Sequence, residues 1–104
     1  MEWYNLLSCF FLGVFLVNSI PHFVHGISGD SFPTPFANPP GKGLSSPILN
    51  VIWGLINMTA CIFLYRVSKI TLTNKWAILL FILGFIAMSL RLSTVLSKKD
   101  QNKA

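Results

Sequence analysis

The chain has 104 residues, a formal net charge of +5 and apolar residues at 53% of its positions. Only 11% of the residues are charged, whereas an average soluble domain carries about 25%. This length allows one domain at most. The basic residues stand at the ends of apolar segments, an arrangement that suits anionic lipid head groups. We therefore expect a membrane-embedded protein and no nucleic-acid partner.

Three apolar segments are long enough to cross a bilayer, which takes about 20 mostly apolar residues. They cover about residues 3–24, 47–65 and 76–96. The first begins after Glu2 rather than a basic residue and has no small-x-small cleavage pattern, so we interpret it as a retained helix. The prediction is an all-α, multi-pass membrane protein in which three transmembrane helices pack as a bundle. The single domain would include a long loop, 25–46, and a basic tail, 97–104.

Orientation in the membrane is not decided by the charged residues. Three spans place the first loop and the tail on one side, and the second loop on the other. The second loop has Arg66, Lys69 and Lys75, and the opposite side has Lys42, Arg91, Lys98, Lys99 and Lys103. The positive-inside rule gives these two sets almost equal weight.

Small and polar residues recur at helical spacing along the second segment. They are Ser46, Asn50, Gly54, Asn57 and Cys61. Because helices in lipid associate through small residues and interhelical hydrogen bonds, such a stripe predicts a packing face. A second interpretation is that the same faces also line a site.

Polar residues are concentrated where the first segment ends, the second begins and the third ends. The residues near this boundary are Asn18, His22, His25, Asn50 and Arg91. An ionisable residue within a span indicates function by default. The alternative for Arg91 is that its guanidinium reaches the head groups and serves only as an anchor.

The two histidines lie three residues apart, so on a helix they face the same way. A metal site made by His22, His25 and Asp30 is the weaker interpretation, because the chain offers no further cluster of ligands. We expect no metal and no cofactor. His22 as a hydrogen-bonding or proton-handling group is favoured, since imidazole titrates near neutral pH.

The first loop is long for a connection between packed helices, and loops of this length are functional or disordered. Its apolar residues, Phe32 and Phe36 among them, favour an ordered cap over the helix ends. At its exit Ser46 is predicted to cap the second helix, with Pro47 at the first helical position. Lys42 and this helix end also form a candidate anion site, although the P-loop spacing is absent.

The series PHFVHGISG, FPTPF and SSPILNVIWGLIN resembles a family of small uncharacterised bacterial multi-pass membrane proteins. The similarity covers about residues 18–57, and His25 lies outside the shared pattern. It implies a protein of the bacterial plasma membrane and supplies no reaction. The residues in the shared pattern are His22, Phe23, Gly26, Gly29, Pro35, Phe36, Asn50, Trp53 and Gly54.

The leading hypothesis is a protein that binds a small or amphipathic ligand, such as a lipid head group, or a partner subunit at the face of the first loop. The expected binding residues are His22, Asn50, Arg91, Trp53, Phe32, Phe36 and Lys42. One alternative is a membrane-embedded enzyme with His22 as acid or base, although no nucleophile or paired carboxylate is evident. Another is an oligomeric transporter or channel subunit, and a third is an accessory subunit of a larger membrane complex.

Overall fold

The computed structural model describes residues 1–99, and its regular structure is helical apart from one short ladder. Helix α1 covers Trp3–Ile27, α2 covers Pro47–Ser68 and α3 covers Lys75–Leu96. The strands β1, Phe32–Pro33, and β2, Leu44–Ser45, pair antiparallel. All three helices are long and apolar enough to cross a membrane, as predicted.

The helix lengths match the thickness of a bilayer. α1 has 25 residues, and α2 and α3 have 22 each, which at 1.5 Å per residue gives about 33–37 Å. The hydrocarbon core of a membrane is about 30 Å thick. α1 extends three residues beyond its predicted end, continuing through Pro21, so that His25 belongs to the helix and the irregular segment begins at Ser28.

Local signals set the start of α2 and α3. Ser46 caps α2 by accepting a hydrogen bond from the backbone N–H of Leu49 at 3.2 Å, with Pro47 at the first position. This cap was predicted from the sequence and is confirmed. Asn74 caps α3 in the same way, accepting from the N–H groups of Trp76 and Ala77.

α1 is the central helix, because both α2 and α3 pack along it. Within the described residues, α2 and α3 share no comparable interface with each other. The crossing of α1 and α3 depends on Gly13 and Gly84: a Cβ at Gly13 would overlap the backbone of Phe81, and one at Gly84 would overlap the backbone of Phe10. Two glycines therefore allow the helix backbones to touch, as small residues do in membranes.

α1 and α2 also approach closely. A Cβ at Gly54 would lie 2.9 Å from the backbone nitrogen of Phe23, and one at Gly26 would lie 2.7 Å from that of Val51. The buried residues of α2 include four positions of the predicted stripe: Asn50, Gly54, Asn57 and Cys61. On α3 only Ala77 and Gly84 are buried, so most of that helix presents apolar side chains outward.

The segment 28–46 folds back across the ends of α1 and α2. Its β1–β2 ladder is supported by a buried contact of 2.6 Å between the hydroxyl oxygens of Thr34 and Ser45. The backbone carbonyl of Thr34 also accepts hydrogen bonds from the N–H groups of Ala37 and Gly41. Phe32, Pro33 and Thr34 are buried, whereas Phe36 is exposed.

Candidate ligand-binding site

His22 and Asn50 join α1 to α2 just below the segment 28–46. The Nδ1 of His22 lies 2.9 Å from the Oδ1 of Asn50, and both side chains are buried. The amide nitrogen of Asn50 lies 2.9 Å from the carbonyl oxygen of Phe32, 3.2 Å from that of Ser45 and 3.0 Å from that of Ser46. One asparagine thus connects both helices and the loop.

The contacts of Asn50 determine the tautomer of His22. Three backbone carbonyl oxygens face the nitrogen end of the amide, and carbonyls only accept hydrogen bonds. The amide oxygen of Asn50 must therefore face the imidazole, so Nδ1 of His22 carries the hydrogen and donates it. In the neutral ring, Nε2 is then an acceptor with a free lone pair.

A second amide pair joins the same two helices, one turn from His22 on α1 and two turns from Asn50 on α2. Asn57 donates from its Nδ2 to the carbonyl oxygen of Trp53 at 2.8 Å, and its Oδ1 accepts from the Nδ2 of Asn18 at 3.0 Å. Asn57 is 1% exposed, so both ends of its amide are satisfied within the protein. In Asn18, by contrast, the Nδ2 has a partner, whereas the Oδ1 has none within residues 1–99.

A cavity of about 350 Å³ lies between α1, α2, the last turns of α3 and the segment 28–46. Its wall is formed by Asn18, His22, Pro33, Thr34, Pro35, Pro40, Gly41, Trp53, Met88, Arg91, Leu92, Val95 and Leu96. The polar groups come mainly from α1, and the apolar ones from α3 and the prolines. This combination of an apolar wall with a few convergent polar groups is typical of small-molecule sites.

Trp53 is the least satisfied polar group of this wall. Its indole Nε1 is fully enclosed and has no hydrogen-bond partner among residues 1–99. The exposed ring of Phe36 packs edge-on against the indole, with ring centroids 5.0 Å apart. Buried N–H groups are almost always paired, so this unpaired donor is a group that a ligand oxygen can satisfy once the side chains that enclose it move.

Arg91 supplies the only full positive charge that the described residues place in the wall. Its side chain is exposed and forms no ion pair or hydrogen bond with any group in residues 1–99. Among residues 1–99, neither aspartate nor glutamate lines the cavity. The described part of the wall therefore attracts anions and offers no group that would compensate a cation.

The structure brings most of the predicted binding residues together. His22, Trp53 and Arg91 line the cavity, Asn50 holds His22 from behind, and the rings of Phe32 and Phe36 pack against His22 and Trp53 respectively. Lys42 is the exception: it is exposed and does not line this cavity, so its role in binding stays a prediction.

Asn18 is a wall residue that the predicted site omitted. Its position four residues before His22 was the available signal, since residues i and i+4 share a helix face. The proline-rich wall segments and the α3 residues Met88, Leu92, Val95 and Leu96 had no such signal in the sequence.

The two histidines have separate partners. The Nδ1 of His25 lies 3.2 Å from the Oδ2 of Asp30, and its ring stacks on Phe32 with centroids 4.1 Å apart. His22 instead meets Phe32 edge-on and bonds to Asn50. Among residues 1–99 no group of three or more His, Cys, Asp or Glu side chains converges as a metal site would require.

A further cavity of about 410 Å³ lies at the opposite end of the helices, under the α2–α3 connection. Its wall contains no charged side chain and is mainly apolar: Leu12, Leu16, Tyr65, Ile70, Thr71, Leu72, Ile78 and Phe81. The charge of Arg91 and the buried, unpaired N–H of Trp53 distinguish the cavity at His22 as the candidate site.

Comparison with protein-family models, with curated proteins and with solved structures found no match for this chain.

Proposed function

We propose that this protein is an integral membrane protein that binds an amphipathic ligand with an anionic head group in the cavity beside His22. The observation that carries the proposal is the joint presence, in one wall, of an unpaired cation at Arg91 and an enclosed, unpaired N–H at Trp53. Both groups are donors without a partner in residues 1–99. Arg91 gains a partner if an anionic oxygen enters the cavity, and Trp53 gains one if the side chains that enclose its N–H also move.

The depth of these residues supports a lipid-like ligand. His22, Trp53 and Arg91 each lie five or six residues from the end of their helix that faces the segment 28–46. At 1.5 Å per residue this is about 8 Å, which in a spanning helix corresponds to the boundary between acyl chains and head groups. A ligand there would place its charge at Arg91 and its apolar part along α3.

The apolar part of the wall fits an acyl chain. Leu92, Val95 and Leu96 follow Arg91 along α3, and Met88 lies one turn before it. Apart from the face that packs on α1, α3 is largely exposed, so an acyl chain can reach the cavity along it from the bilayer. Head-group selection would then come from the polar wall and affinity from the apolar one.

The arrangement in the membrane is part of the same proposal. The three helices span the bilayer as one packed unit around α1, and the segment 28–46 covers the cavity from the aqueous side. The resemblance of residues 18–57 to bacterial multi-pass proteins supports a location in a bacterial plasma membrane. Charge at Arg91 and the lysines that follow α3 suits anionic lipids there.

The test is native mass spectrometry of the full chain, purified in mild detergent and titrated with dioleoyl phosphatidylglycerol or dioleoyl phosphatidylcholine. The wild type is expected to retain the anionic lipid in preference to the zwitterionic one. Arg91→Gln should lose most of that preference, because it removes the only cation of the wall. Arg66→Gln removes the same charge from the last turn of α2, on the opposite side, and serves as the matched control. Equal retention of both lipids by the wild type, or equal effects of the two substitutions, would refute the proposal.

A second candidate is an enzyme that uses His22 as acid or base. The observation favouring it is that Asn50 holds Nδ1 as the donor and leaves the Nε2 lone pair without a partner in residues 1–99. Against it, the one hydroxyl in the wall, that of Thr34, is in contact with Ser45 rather than His22. Chemical turnover of a bound lipid that is lost in His22→Gln would support the enzyme, and recovery of intact lipid after prolonged incubation would exclude it.

A further inference from the structure

The polar wall of the cavity contains acceptors as well as donors, and these constrain the ligand further. His22 is the first acceptor. Its Nδ1 donates to Asn50, so in the neutral ring Nε2 accepts. Nε2 has no partner within residues 1–99. The indole nitrogen of Trp53 is the only unpaired polar side-chain atom there that is fully enclosed, so Nε2 must keep some accessible surface. Because His22 is only 4% exposed and lines the cavity, that surface faces the cavity.

Asn18 is the second acceptor. Its Nδ2 donates to the Oδ1 of Asn57, whose orientation is set by the bond from Asn57 Nδ2 to the carbonyl oxygen of Trp53. The Oδ1 of Asn18 consequently points away from Asn57 and has no partner among the described residues. Like His22 Nε2, it is not fully enclosed. Asn18 and His22 are four residues apart on α1, so both acceptors face the same wall.

Within residues 1–99 no donor of the wall pairs with these acceptors. Its hydrogen-bond donors are the indole N–H of Trp53, the guanidinium of Arg91 and the hydroxyl of Thr34, and the last is in contact with Ser45. The ligand must then bring donors for His22 and Asn18 together with an anionic oxygen for Arg91 and Trp53. A fatty-acid carboxylate brings no donor. An ammonium head group brings donors, but its charge would lie near Arg91, and residues 1–99 place no carboxylate in the wall to compensate it.

We propose that the cavity selects an anionic glycerophospholipid whose head group carries two free hydroxyls, with one hydroxyl donating to His22 Nε2, the other donating to Asn18 Oδ1, and the phosphate facing Arg91 and Trp53. This inference rests on the proposed function and adds the chemical class of the head group. The lipid supplies both groups at once, since its hydroxyls and its phosphodiester are a few bonds apart. Binding is non-covalent, and no bond in the lipid is made or broken.

The experiment compares four lipids on the full chain, reconstituted in dioleoyl phosphatidylcholine nanodiscs. Dioleoyl phosphatidylglycerol has the charge and the hydroxyls, dioleoyl phosphatidylmethanol has the same charge and no hydroxyl, and dioleoyl phosphatidylethanolamine has an ammonium donor. We expect phosphatidylglycerol to bind about fivefold or more tightly than phosphatidylmethanol, which is the size of one net hydrogen bond. Phosphatidylethanolamine should bind no better than phosphatidylcholine.

The outcomes separate the two levels of the proposal. Equal binding of phosphatidylglycerol and phosphatidylmethanol, both above phosphatidylcholine, would overturn the hydroxyl assignment and leave anionic-lipid binding intact. Binding of neither would overturn both. Binding of phosphatidylethanolamine as tight as that of phosphatidylglycerol would also overturn the hydroxyl assignment. The water-soluble head group sn-glycero-3-phosphoglycerol is added as a competitor, and displacement of the lipid at equal concentration would identify a soluble ligand instead.

Variants test the two acceptors. Asn18→Leu removes the Oδ1 acceptor and should bring the ratio of the two affinities close to one. Asn5→Leu is the control, because Asn5 also donates from α1 to α2, to the carbonyl oxygen of Val67 at 2.8 Å, but does not line the cavity. His22→Gln keeps a donor for Asn50 and an acceptor for the ligand, so it should retain part of the selectivity that His22→Leu loses.

A spectroscopic measurement on the wild type is independent of any effect of these variants on folding. In protein labelled with ¹⁵N-histidine, His22 should show the tautomer that is protonated at Nδ1, and His25→Asn assigns its signals. Phosphatidylglycerol should shift the Nε2 resonance, whereas phosphatidylmethanol should not. A ring protonated at Nε2, or identical shifts with both lipids, would overturn the assignment.

Discussion

The imidazole of His22 and the amide of Asn50 form a buried pair, 2.9 Å apart, that holds α1, α2 and the segment 28–46 at one point. The amide uses its oxygen for the histidine and its nitrogen for the loop carbonyls. Because carbonyls cannot donate, this single arrangement satisfies all of the groups involved. The position of His22 in the cavity wall thus depends on a residue of another helix.

Replacement of Asn50 should destabilise the protein and loosen the loop at the same time. In Asn50→Leu the His22 Nδ1–H and the carbonyl oxygen of Phe32 lose their partner, and each unpaired buried group costs about 1–3 kcal/mol. Thermal unfolding in detergent measures the loss. Thr59→Ala removes an exposed intrahelical bond on α2 and is the control. Equal melting temperatures for the two variants would contradict a central role for this amide.

Addition of one methyl group at Gly84 should disturb the contact between α1 and α3. A Cβ there would overlap the backbone of Phe10, which cannot move without shifting the helix. Overpacking of this kind costs about 1–3 kcal/mol. Gly84→Ala is expected to lower the unfolding temperature, and Ala87→Leu, an exposed position on the same helix, to leave it nearly unchanged. A melting temperature of Gly84→Ala equal to that of the wild type would mean that the helices do not pack in this way.

Removal of the indole N–H at Trp53 should weaken lipid binding. The group is buried without a partner, so its loss deprives the empty protein of no hydrogen bond. Because Trp53→Phe also loses ring contacts with Phe36, the quantity compared is the gain in unfolding temperature when phosphatidylglycerol is added, which should be smaller than in the wild type. Trp76→Phe, exposed at the start of α3, is the control. Equal stabilisation of Trp53→Phe and wild type by the lipid would show that the indole N–H does not contact it.

The contact between Thr34 and Ser45 should limit opening of the segment 28–46. Thr34→Val keeps the shape of the side chain and removes the buried hydroxyl that contacts Ser45 at 2.6 Å. Lys42 is exposed within this segment and provides a trypsin site. Cleavage after Lys42 should be several-fold faster in Thr34→Val than in wild type, since proteolysis follows the population of the open form. Thr59→Val is the matched control, and an unchanged cleavage rate in Thr34→Val would show that this contact does not hold the segment.

The three helices could be predicted from the sequence, because a continuous apolar run of about 20 residues is stable in lipid only as a helix. The sequence also determined the start of α2, since the Ser46–Pro47 cap is local, and the buried stripe from Asn50 to Cys61, which depends only on helical spacing. These features need no knowledge of distant parts of the chain. The polar cluster around His22 and Arg91 could be predicted as well, since it depends only on how far each residue lies from the end of its helix.

Only the packing of the helices shows which polar groups pair with each other and which are left without a partner. Asn50 and Asn57 have similar positions on α2, yet one bonds His22 and the loop while the other bonds Asn18. The packing also places α1 between the other helices and leaves Lys42 outside the cavity wall. The physical reason is that these outcomes depend on the register and crossing of helices brought together by Gly13, Gly54 and Gly84, which no local periodicity encodes.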